Sequence, residues 1–287
     1  METVLVTGSN SGIGRSTALR LASEGYRVFA AMRDTAKAAK LLELAAKANV
    51  EVQPIVLDVN DDASVREAIA SIESDGGGVD VLINNAGIAM NATTEDIDIE
   101  QAKQVFETNY WGVIRCIQAV LPGMRARKSG QIVNVSSIAG RIAALAQPVY
   151  SSSKWALECL SESLAQEVAP FGIRVTILEP GVARTAILPK NVGYPQPTAY
   201  EAAYRRMLQF YLKGIEADVS ADEVAATILG ALRDPNPRLR YTCAWGGREL
   251  VDGRARMSDE RWVELGGFAS DEEYYAEFEK SFDLKLS

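Results

Sequence analysis

The sequence predicts an α/β fold of the doubly wound type, in which a parallel β-sheet lies between two layers of helices (α/β/α). Short apolar runs alternate with longer amphipathic stretches from residue 3 to about residue 178, and this alternation is typical of parallel sheets. A glycine-rich turn directly follows the first apolar run. Of the 287 residues, 47% are hydrophobic and 24% charged. Such a chain can bury a full core, and we expect a single domain over 1–287.

Six strands are predicted in this region, each a short run of apolar or β-branched residues. Right-handed crossovers between them bring the carboxyl ends of all strands to one edge of the sheet, where ligands bind. The predicted strands are Thr3–Thr7, Arg27–Ala31, Val50–Val56, Val79–Ile83, Gln131–Val135 and Ile173–Leu178. The predicted helices lie between them, near 12–24, 35–48, 61–74, 100–127 and 148–169.

The pattern changes after Pro180. Prolines and glycines predict a loop over 180–200. A helix is predicted over Tyr200–Lys213. Another is predicted to begin at Ser220, where a capping box with Glu223 marks the start. A last strand is predicted near Leu239–Ala244.

The segment 258–287 is an acidic C-terminal tail with nine acidic and three basic side chains. It carries most of the net charge of the chain. Ser270 with Glu273 predicts a further capping box before a short acidic helix. We expect this helix to lie solvated on the surface, as runs of like charge usually do.

Histidine is absent from the sequence, and its absence excludes several classes of function. Catalytic mechanisms of the Ser-His-Asp and Cys-His types are excluded. The commonest zinc ligand is also missing, so we expect no metal site. The sequence has three cysteines, Cys116, Cys159 and Cys243. An odd number at wide spacing is typical of reduced thiols in a cytoplasmic protein. Acid–base chemistry must then come from Tyr, Lys, Asp, Glu or Cys.

The net charge of −8, from 30 basic and 38 acidic residues, argues against nucleic acid or an anionic membrane as a partner. The sequence contains no stretch of about 18 apolar residues that could span a bilayer. The first strand begins too early for a signal sequence. We therefore expect a cytoplasmic protein with a small-molecule ligand. A phosphate-bearing ligand is compatible with the acidic chain, since backbone amides and one arginine act locally.

The segment TGSNSGIG at 7–14 follows the first strand and opens the first helix. Glycines let the backbone turn sharply and approach a pyrophosphate, and the helix N-terminus stabilises the anion. The spacing is G-x3-G-x-G rather than G-x-G-x-x-G, and a tight turn without a ligand is the alternative. The position between a strand and a helix predicts a dinucleotide-binding, Rossmann-type site.

The second strand ends at Met32, Arg33 and Asp34. Enzymes that use NAD usually place an acidic residue here to bind the ribose 2′-hydroxyl, and by register Met32 occupies that position. Arg33 can instead pair with a 2′-phosphate through charge-assisted hydrogen bonds. The alternative is a solvated Arg33 paired with Asp34. The missing acid and the present base favour NADP(H), with NAD(H) as the second choice.

Two further strands end in segments that can contact a cofactor. Asp58, which Val59 follows, can accept a hydrogen bond from an adenine amino group, although Asp is also a good N-cap for the next helix. The segment Asn84–Gly87 contains small residues that let the chain pass close to a ligand. Asparagine side chains there can also simply pin a turn.

Tyr150 and Lys154 stand one turn apart on the same face of a predicted helix. A phenol has a pKa near 10, and a neighbouring ammonium favours the phenolate, so we expect Lys154 to lower the pKa of Tyr150. Ser137 ends the fifth strand, where its hydroxyl can hold a substrate carbonyl oxygen. Asn109 lies within a helix, an unfavourable place for asparagine, and can anchor a water to Lys154. The pair alone is common, so its value comes from these neighbours.

Together these residues resemble the short-chain dehydrogenase/reductase family in its compact branch. The TGSNSGIG turn, the NNAG segment, Asn109, Ser137 and the YSSSK segment match in order and spacing. The segment PGVART at 180–185 is similar to the family's PG-x3-T element. The resemblance covers about residues 1–185 well and the rest loosely. The Met-Arg-Asp pattern at 32–34 is similar to NADPH-preferring members, including carbonyl reductases and 17β-hydroxysteroid dehydrogenase-like proteins.

The resemblance implies an enzyme that interconverts a carbonyl and a secondary alcohol by hydride transfer. It implies that Tyr150 is the general acid in reduction and the base in oxidation. It further implies that Lys154 lowers the tyrosine pKa and binds the nicotinamide ribose, that Ser137 positions the carbonyl, and that Asn109 holds a water of a proton relay. The expected cofactor-binding residues are Gly8, Ser9, Ser11, Gly12, Ile13, Gly14, Arg33, Asp58, Val59, Asn85, Ala86, Gly87, Tyr150, Lys154, Pro180, Gly181, Val182 and Thr185.

The segment 186–215 is predicted to form a substrate lid. Its large apolar and aromatic side chains predict an apolar or aromatic carbonyl substrate, and the alternative is that they pack a surface helix onto the core. These side chains are Leu188, Tyr194, Tyr200, Tyr204, Met207, Phe210 and Tyr211.

Two other functions stay open at this point. One is an NADPH-binding sensor without turnover, against which the intact set of Ser137, Tyr150 and Lys154 argues, since a sensor needs no proton donor. The other is an epimerase or dehydratase that uses the cofactor transiently. The helices near 100–127 and 148–169 resemble the family's dimer-forming pair, so we expect a homodimer or homotetramer.

Overall fold

The computed structural model describes residues 1–185 and 198–287 of the chain. Its strands are β1 (Thr3–Thr7), β2 (Arg27–Met32), β3 (Gln53–Val56), β4 (Val81–Asn84), β5 (Gly130–Val135), β6 (Ile173–Pro180) and β7 (Arg240–Cys243). They form one sheet in the order β3-β2-β1-β4-β5-β6-β7, and every neighbouring pair is parallel. The predicted doubly wound α/β fold is confirmed.

Helices follow the strands on both faces of the sheet. In chain order they are α1 (Gly12–Ser23), α2 (Ala39–Lys47), α3 (Asp62–Ser74), α4 (Ile99–Phe106), α5 (Gly112–Arg127), α6 (Pro148–Val168), α7 (Glu201–Glu216), α8 (Ala221–Arg233), α9 (Gly247–Arg256), α10 (Asp259–Gly266) and α11 (Asp271–Phe282). Within the described parts of the chain, no helix is both long and apolar enough to cross a membrane.

The central strands of the sheet are buried on both faces, which explains why they are largely apolar runs. Strand β1 is buried along its whole length. Because side chains alternate along a strand, Val4 and Val6 belong to a core with α1, α2 and α8, whereas Leu5 belongs to a second core with α3, α5 and α6.

The strand order reverses between β1 and β4. The chain runs outward from β1 to β2 and β3, and then returns to place β4 on the other side of β1. Val6 is in register with Ile83, and Thr7 is in register with Ala31. The carboxyl ends of β1, β2 and β4 therefore lie together at one edge of the sheet. Ligands of such folds bind at this reversal point.

The helix predicted over 100–127 is interrupted. A turn of π-helix, Glu107–Trp111, joins α4 to α5, and Asn109 within it is fully buried. Such turns inside α-helices are frequent at functional sites. The asparagine was the one sequence signal for this interruption.

The C-terminal region was predicted in part. The capping box of Ser220 with Glu223 is present, and β7 and α11 lie where they were expected, but α9 and α10 were missed. The expectation of a solvated acidic helix is wrong for one face of α11, on which Tyr274, Phe278 and Phe282 are buried. These rings join a third apolar cluster with residues of α7, α9 and the turn after β5.

Candidate active site

A cleft of about 510 Å³ lies along the carboxyl edge of the sheet. It extends from the turns after β1, β2 and β3, past the ends of β5 and β6, to the first turns of α6 and one face of α7. Most of the predicted site residues line it, namely Gly8, Ser11, Gly12, Ile13, Arg33, Asp58, Val59, Asn85, Ala86, Gly87, Ser137, Tyr150, Lys154, Pro180, Gly181, Val182 and Thr185.

The glycine-rich turn requires glycine at two positions. Gly8 has φ +68° and Gly12 has φ +53°, in the left-handed region that side chains disfavour. A Cβ at Gly8 would also lie 2.9 Å from the Cα of Ala86. The N-cap Ser11 makes no side-chain capping bond within the residues described, and the first amides of a helix have no partner inside it. These donors and this narrow cradle fit a pyrophosphate.

Two predicted residues shape this turn from behind and do not face the cleft. The hydroxyl of Ser9 donates to the carbonyl oxygen of Val6 (2.6 Å), and its amide donates to the carbonyl oxygen of Ala31 on β2 (3.0 Å). A Cβ at Gly14 would collide with the Asn85 amide and with the carbonyl oxygen of Gly8. Both residues therefore hold the turn in place.

Thr7, which was not predicted, locks the turn to the segment after β4. Its hydroxyl accepts from the amides of Asn85 and Ala86, both at 3.0 Å, and the Asn85 side chain donates to the carbonyl of Thr7 (2.9 Å). The interpretation that an asparagine pins a turn is therefore confirmed for Asn85. The signal available in the sequence was a threonine immediately before the first glycine.

Asn84 has a different place. Its amide donates to Asn134 on β5 (2.9 Å), and Asn134 in turn donates to Ser161 on α6 (2.8 Å). All three side chains are buried. This chain of amides joins the sheet to α6, the helix that carries Tyr150.

Arg33 lies at the nucleotide end of the cleft without a carboxylate partner. Asp34 accepts from the amide of Ala36 (3.0 Å) and lies 3.9 Å from the ammonium of Lys37. Within 1–185 and 198–287, Arg33 forms no ion pair, so its predicted alternative pairing with Asp34 is wrong. Its exposed guanidinium remains available to an anion.

Asp58 also lines the cleft, and its alternative role as a helix cap is wrong. The N-cap of α3 is Asp61, which accepts from the amide of Ser64 (2.7 Å). Asp58 instead accepts from the amide of Asn60 (3.0 Å). That bond fixes a local turn that carries Asp58 and Val59 along the cleft wall.

Ser137, Tyr150 and Lys154 meet at the other end of the cleft. Ser137 lies two residues after β5, and its hydroxyl lies 3.4 Å from the carbonyl oxygen of Pro180 at the end of β6. Tyr150 and Lys154 come from the first two turns of α6. The Lys154 ammonium donates to the carbonyl of Val135 (2.8 Å) and lies 5.8 Å from the centroid of the Tyr150 ring. The predicted convergence of the three groups is present.

Burial controls the charges of this group. It raises the pKa of Tyr150, and a hydrogen bond with Ser137 acts in the opposite direction. Burial also lowers the pKa of Lys154 to about 8, against the negative charge of Glu158. The expected lowering of the tyrosine pKa is therefore wrong for the protein alone, because desolvation is the largest influence on the Tyr150 phenol.

Asn109 stands behind Gly87 and does not line the cleft. Its side chain accepts from the amide of Ile88 (2.9 Å) and donates to the carbonyl of Ile88 (2.9 Å) and to Ser153 (3.0 Å). A Cβ at Gly87 would lie 3.3 Å from the Asn109 oxygen and 3.8 Å from the ammonium of Lys154. The side chain thus joins the π turn to α6 beside Lys154.

A buried ionic group lies one turn beyond Lys154 on α6, and no sequence pattern indicated it. Glu158 pairs with Arg240 of β7 (2.9 Å), and Glu179 of β6 pairs with Arg141 (2.9 Å). Glu179 also lies 3.3 Å from Arg240. Arg240 also pairs with the more exposed Glu162 (2.8 Å), so three acidic side chains and two guanidiniums lie together behind the site.

The residues of the predicted lid divide into groups. Phe210 and Tyr211 line the cleft. Tyr204 and Met207 are buried against Ala146, as the packing alternative predicted, and Tyr200 is on the surface. Leu188 and Tyr194 belong to 186–197, outside the described residues. The sequence reasoning missed the other residues at this end, which are Ile138, Ile142, Ala144 and Gln147.

Comparison with known proteins gives a consistent result. The model of a family described as short chain dehydrogenase matches residues 2–193. The oxidoreductase BOA17 of Botryotinia fuckeliana is 38% identical over 91% of this chain and 96% of its own length. The mouse 17-beta-hydroxysteroid dehydrogenase type 1 is 37% identical over 89% of this chain and 77% of its own.

Solved structures agree with the sequence relatives. A short-chain dehydrogenase from Streptomyces avermitilis superimposes with a TM-score of 0.81 at 34% identity, over 93% of this chain and 95% of the other. Actinorhodin polyketide ketoreductase with NADPH has a TM-score of 0.70 at 32% identity, over 79% and 88%. An enzyme from Burkholderia phymatum in complex with NAD has a TM-score of 0.73 at 26% identity, over 83% and 88%. Similar folds therefore carry either cofactor.

Proposed function

The chain belongs to the short-chain dehydrogenase family, and we propose that it is an NADP(H)-dependent oxidoreductase that interconverts a carbonyl and a secondary alcohol. The observation that supports this most is the convergence of Ser137, Tyr150 and Lys154 at the far end of a cleft whose near end is a phosphate-binding turn. A proton donor and a dinucleotide cradle in one cleft are what carbonyl reduction needs.

The preference for NADP(H) is supported by the residues after β2. Met32 stands where an acidic residue would bind a ribose 2′-hydroxyl, and Arg33 faces the cleft with no carboxylate partner among the residues that the structure describes. A guanidinium binds a phosphate through paired, charge-assisted hydrogen bonds. NAD(H) would leave this positive charge without an anion.

The other parts of the cofactor would be held by groups along the cleft. The amides after Ser11 would hold the pyrophosphate, Asp58 and Val59 would lie beside the adenine, and Lys154 would bind the nicotinamide ribose. Thr185 lies close over the turn, 3.4 Å from a Cβ built at Gly12. When bound, the nicotinamide supplies or accepts the hydride.

Tyr150 moves the proton. In reduction its hydroxyl donates to the carbonyl oxygen as the alcohol forms, and in oxidation the phenolate takes the proton back. Ser137 holds the same oxygen by its hydroxyl. The ammonium of Lys154 would act against the burial that raises the pKa of Tyr150, without reversing it in the protein alone. A water held beside Lys154 and Asn109 would carry the proton toward solvent.

The substrate end supports an apolar or aromatic carbonyl compound. Ile138, Ile142 and Phe210 line it, and apolar walls with few polar groups favour apolar ligands. We also propose a homodimer or homotetramer, since Trp111 and Trp155 are about half exposed on the helices that pair in this family. The mass of the particle in solution tests the assembly.

The test is a panel of ketones and secondary alcohols, each assayed with NADP(H) and NAD(H) and followed by cofactor absorbance. The variant Tyr150→Phe should lose turnover by about 10²–10⁴-fold, the usual contribution of a general acid. Its affinity for NADPH, measured by fluorescence titration, should change little. The matched control is Tyr275→Phe, which removes a phenol oxygen from α11, away from the cleft.

The outcomes separate the candidate functions. NADPH binding with no consumption in the whole panel would indicate the sensor. Interconversion of an alcohol without net consumption of cofactor would indicate the epimerase or dehydratase. Full turnover by Tyr150→Phe would contradict the proposed proton path.

A further inference from the structure

Gln147 and Tyr211 form a polar pair in the otherwise apolar substrate end of the cleft. Both line it beside Tyr150. The Gln147 amide nitrogen donates to the side-chain oxygen of Asn91 (2.8 Å) and to the hydroxyl of Tyr211. Gln147 is only 5% exposed, so the surrounding residues fix its orientation. The proposed function gives this pair no task.

Among the described residues, the hydrogen bonds of Gln147 and Tyr211 leave one donor hydrogen without an acceptor. Gln147 uses both amide hydrogens, and the Tyr211 oxygen accepts one of them. The Tyr211 proton has no acceptor among the described residues of the chain. Burial and the nearby Tyr150 both raise the pKa of Tyr211, so the phenol keeps its proton at neutral pH. Tyr211 is partly buried and lines the cleft, so this hydroxyl is placed to donate to an acceptor on a ligand that excludes water from the cleft.

The position of this donor relates it to the reacting group. Gln147 is the N-cap of α6, three residues before Tyr150. Tyr211 lines the same cleft as Tyr150, the phenol that transfers the proton. The two phenols are close enough for Tyr150 to act on the pKa of Tyr211. An oxygen a few bonds from a carbonyl would reach the first while the carbonyl oxygen reaches the second.

We infer that Tyr211, aimed by Gln147, selects apolar ketones that carry a second oxygen acceptor two to three bonds from the reacting carbon. This inference rests on the proposed function and adds a substrate class to it. The apolar residues Ile138, Ile142 and Phe210 hold the remainder of such a molecule. A ketone of the same size without the second oxygen leaves the Tyr211 hydroxyl unsatisfied, and buried donors without partners discriminate strongly between substrates.

Two ketones of equal size test the inference. In 4-methoxybutan-2-one an ether oxygen replaces one methylene of hexan-2-one, and neither compound forms a stable enol. The protein should reduce the ether with a kcat/KM about tenfold higher, as expected for one well-placed hydrogen bond. In Tyr211→Phe this ratio should fall to about one. Comparing ratios between proteins cancels the intrinsic reactivity of the two ketones.

Two further variants complete the experiment. Gln147→Leu keeps the Tyr211 phenol but removes the amide that orients it. This variant should give a ratio of the two kcat/KM values between those of the unmodified protein and Tyr211→Phe. Tyr200→Phe removes the same atom from an exposed position on the same helix and should leave the ratio unchanged. Thermal melting checks that each variant is folded.

The results distinguish the two proposals. A ratio near one in the unmodified protein, or an equal ratio in Tyr211→Phe, overturns the inference and leaves the proposed function intact. The absence of NADPH consumption with either ketone, and with the wider panel, overturns both.

Discussion

The two ends of the cleft are built in different ways. The nucleotide end consists of turns after β1, β2 and β3, and hydrogen bonds between Thr7 and the segment after β4 hold it. The substrate end combines the turn after β5 and the start of α6 with α7 from the last third of the chain, and its outer wall is held largely by the packing of aromatic side chains. There the ring of Phe210 lies 5.0 Å from that of Trp245 and 6.3 Å from that of Phe278, between centroids.

The difference shows which features of a site a sequence can reveal. A turn with positive φ and a close backbone approach accepts glycine and little else, so Gly8 and Gly12 are recognisable from spacing alone. An apolar wall accepts many residues of suitable volume. Phe210 could therefore be suspected of facing a ligand, but its sequence position does not distinguish it from Tyr204, which faces the core.

The acidic C-terminal segment, 258–287, contacts the helix that forms one wall of the substrate end. Buried Arg206 on α7 donates to Asp271 (3.0 Å) and to the carbonyl of Phe268 (2.7 Å). Its guanidinium also lies 4.5 Å from the centroid of the Tyr274 ring. The segment 258–287 thus fastens α7, and with it Phe210 and Tyr211, over the substrate end.

The largest effect should come from breaking this attachment. We predict that Arg206→Met lowers the free energy of unfolding by about 3 kcal/mol, because it removes a buried guanidinium, leaves the partly buried carbonyls of Phe268 and Ser270 without their donor, and leaves Asp271 paired only with Arg205. It should also raise KM for ketones more than the Kd for NADPH. Urea unfolding and the two titrations measure these effects.

Arg205→Met is the matched control. Arg205 pairs with the same Asp271 at 2.9 Å but is 46% exposed, so its loss should lower the free energy of unfolding much less than the loss of Arg206. Equal losses from the two variants, or an equal change in Kd for NADPH and KM for ketone, would show that the C-terminal segment does not act on the substrate end alone.

The sequence predicted the sheet and most residues of the nucleotide end, because the central strands are buried apolar runs and each turn has a chemical requirement. The Ser137, Tyr150 and Lys154 group was found for the same reason. The inward face of α11 was missed, because Tyr274 and Phe278 are outnumbered by exposed acids, and local charge masks burial. Gln147 and Glu158 were missed because their partners, Tyr211 and Arg240, are distant in sequence.

Lys154 lies between the two ends, and its charge should make stability depend on pH. Burial lowers its pKa from 10.5 to about 8. Between these pH values the unfolded chain binds a proton that the folded protein has released, so the folded state gains stability as pH rises. We predict that the difference in free energy of unfolding between the unmodified protein and Lys154→Met shifts in favour of the unmodified protein by up to about 3 kcal/mol.

Urea unfolding at several pH values from about 7.5 to 10.5 measures this shift. The control is Lys103→Met, which removes an exposed ammonium, 67% accessible, from α4, and should give a difference that is nearly constant with pH. A shift of the opposite sign at Lys154 would mean that a charged partner, and not burial, dominates its environment.

The smallest effect concerns the choice of cofactor at the nucleotide end. We predict that Arg33→Gln raises the KM for NADPH about tenfold, or about 1.4 kcal/mol, and leaves the KM for NADH nearly unchanged, because only the 2′-phosphate pairs with the guanidinium. Added salt should shrink the difference, since the pair is exposed. Lys37→Gln is the control, because this cation follows the same strand but already lies near Asp34 and does not line the cleft.

If both variants raised the KM for NADPH equally, the effect would come from the overall electrostatic field of the protein. A loss confined to Arg33 would show that one side chain at a strand end selects the cofactor, whereas a whole C-terminal segment is needed to shape the substrate end.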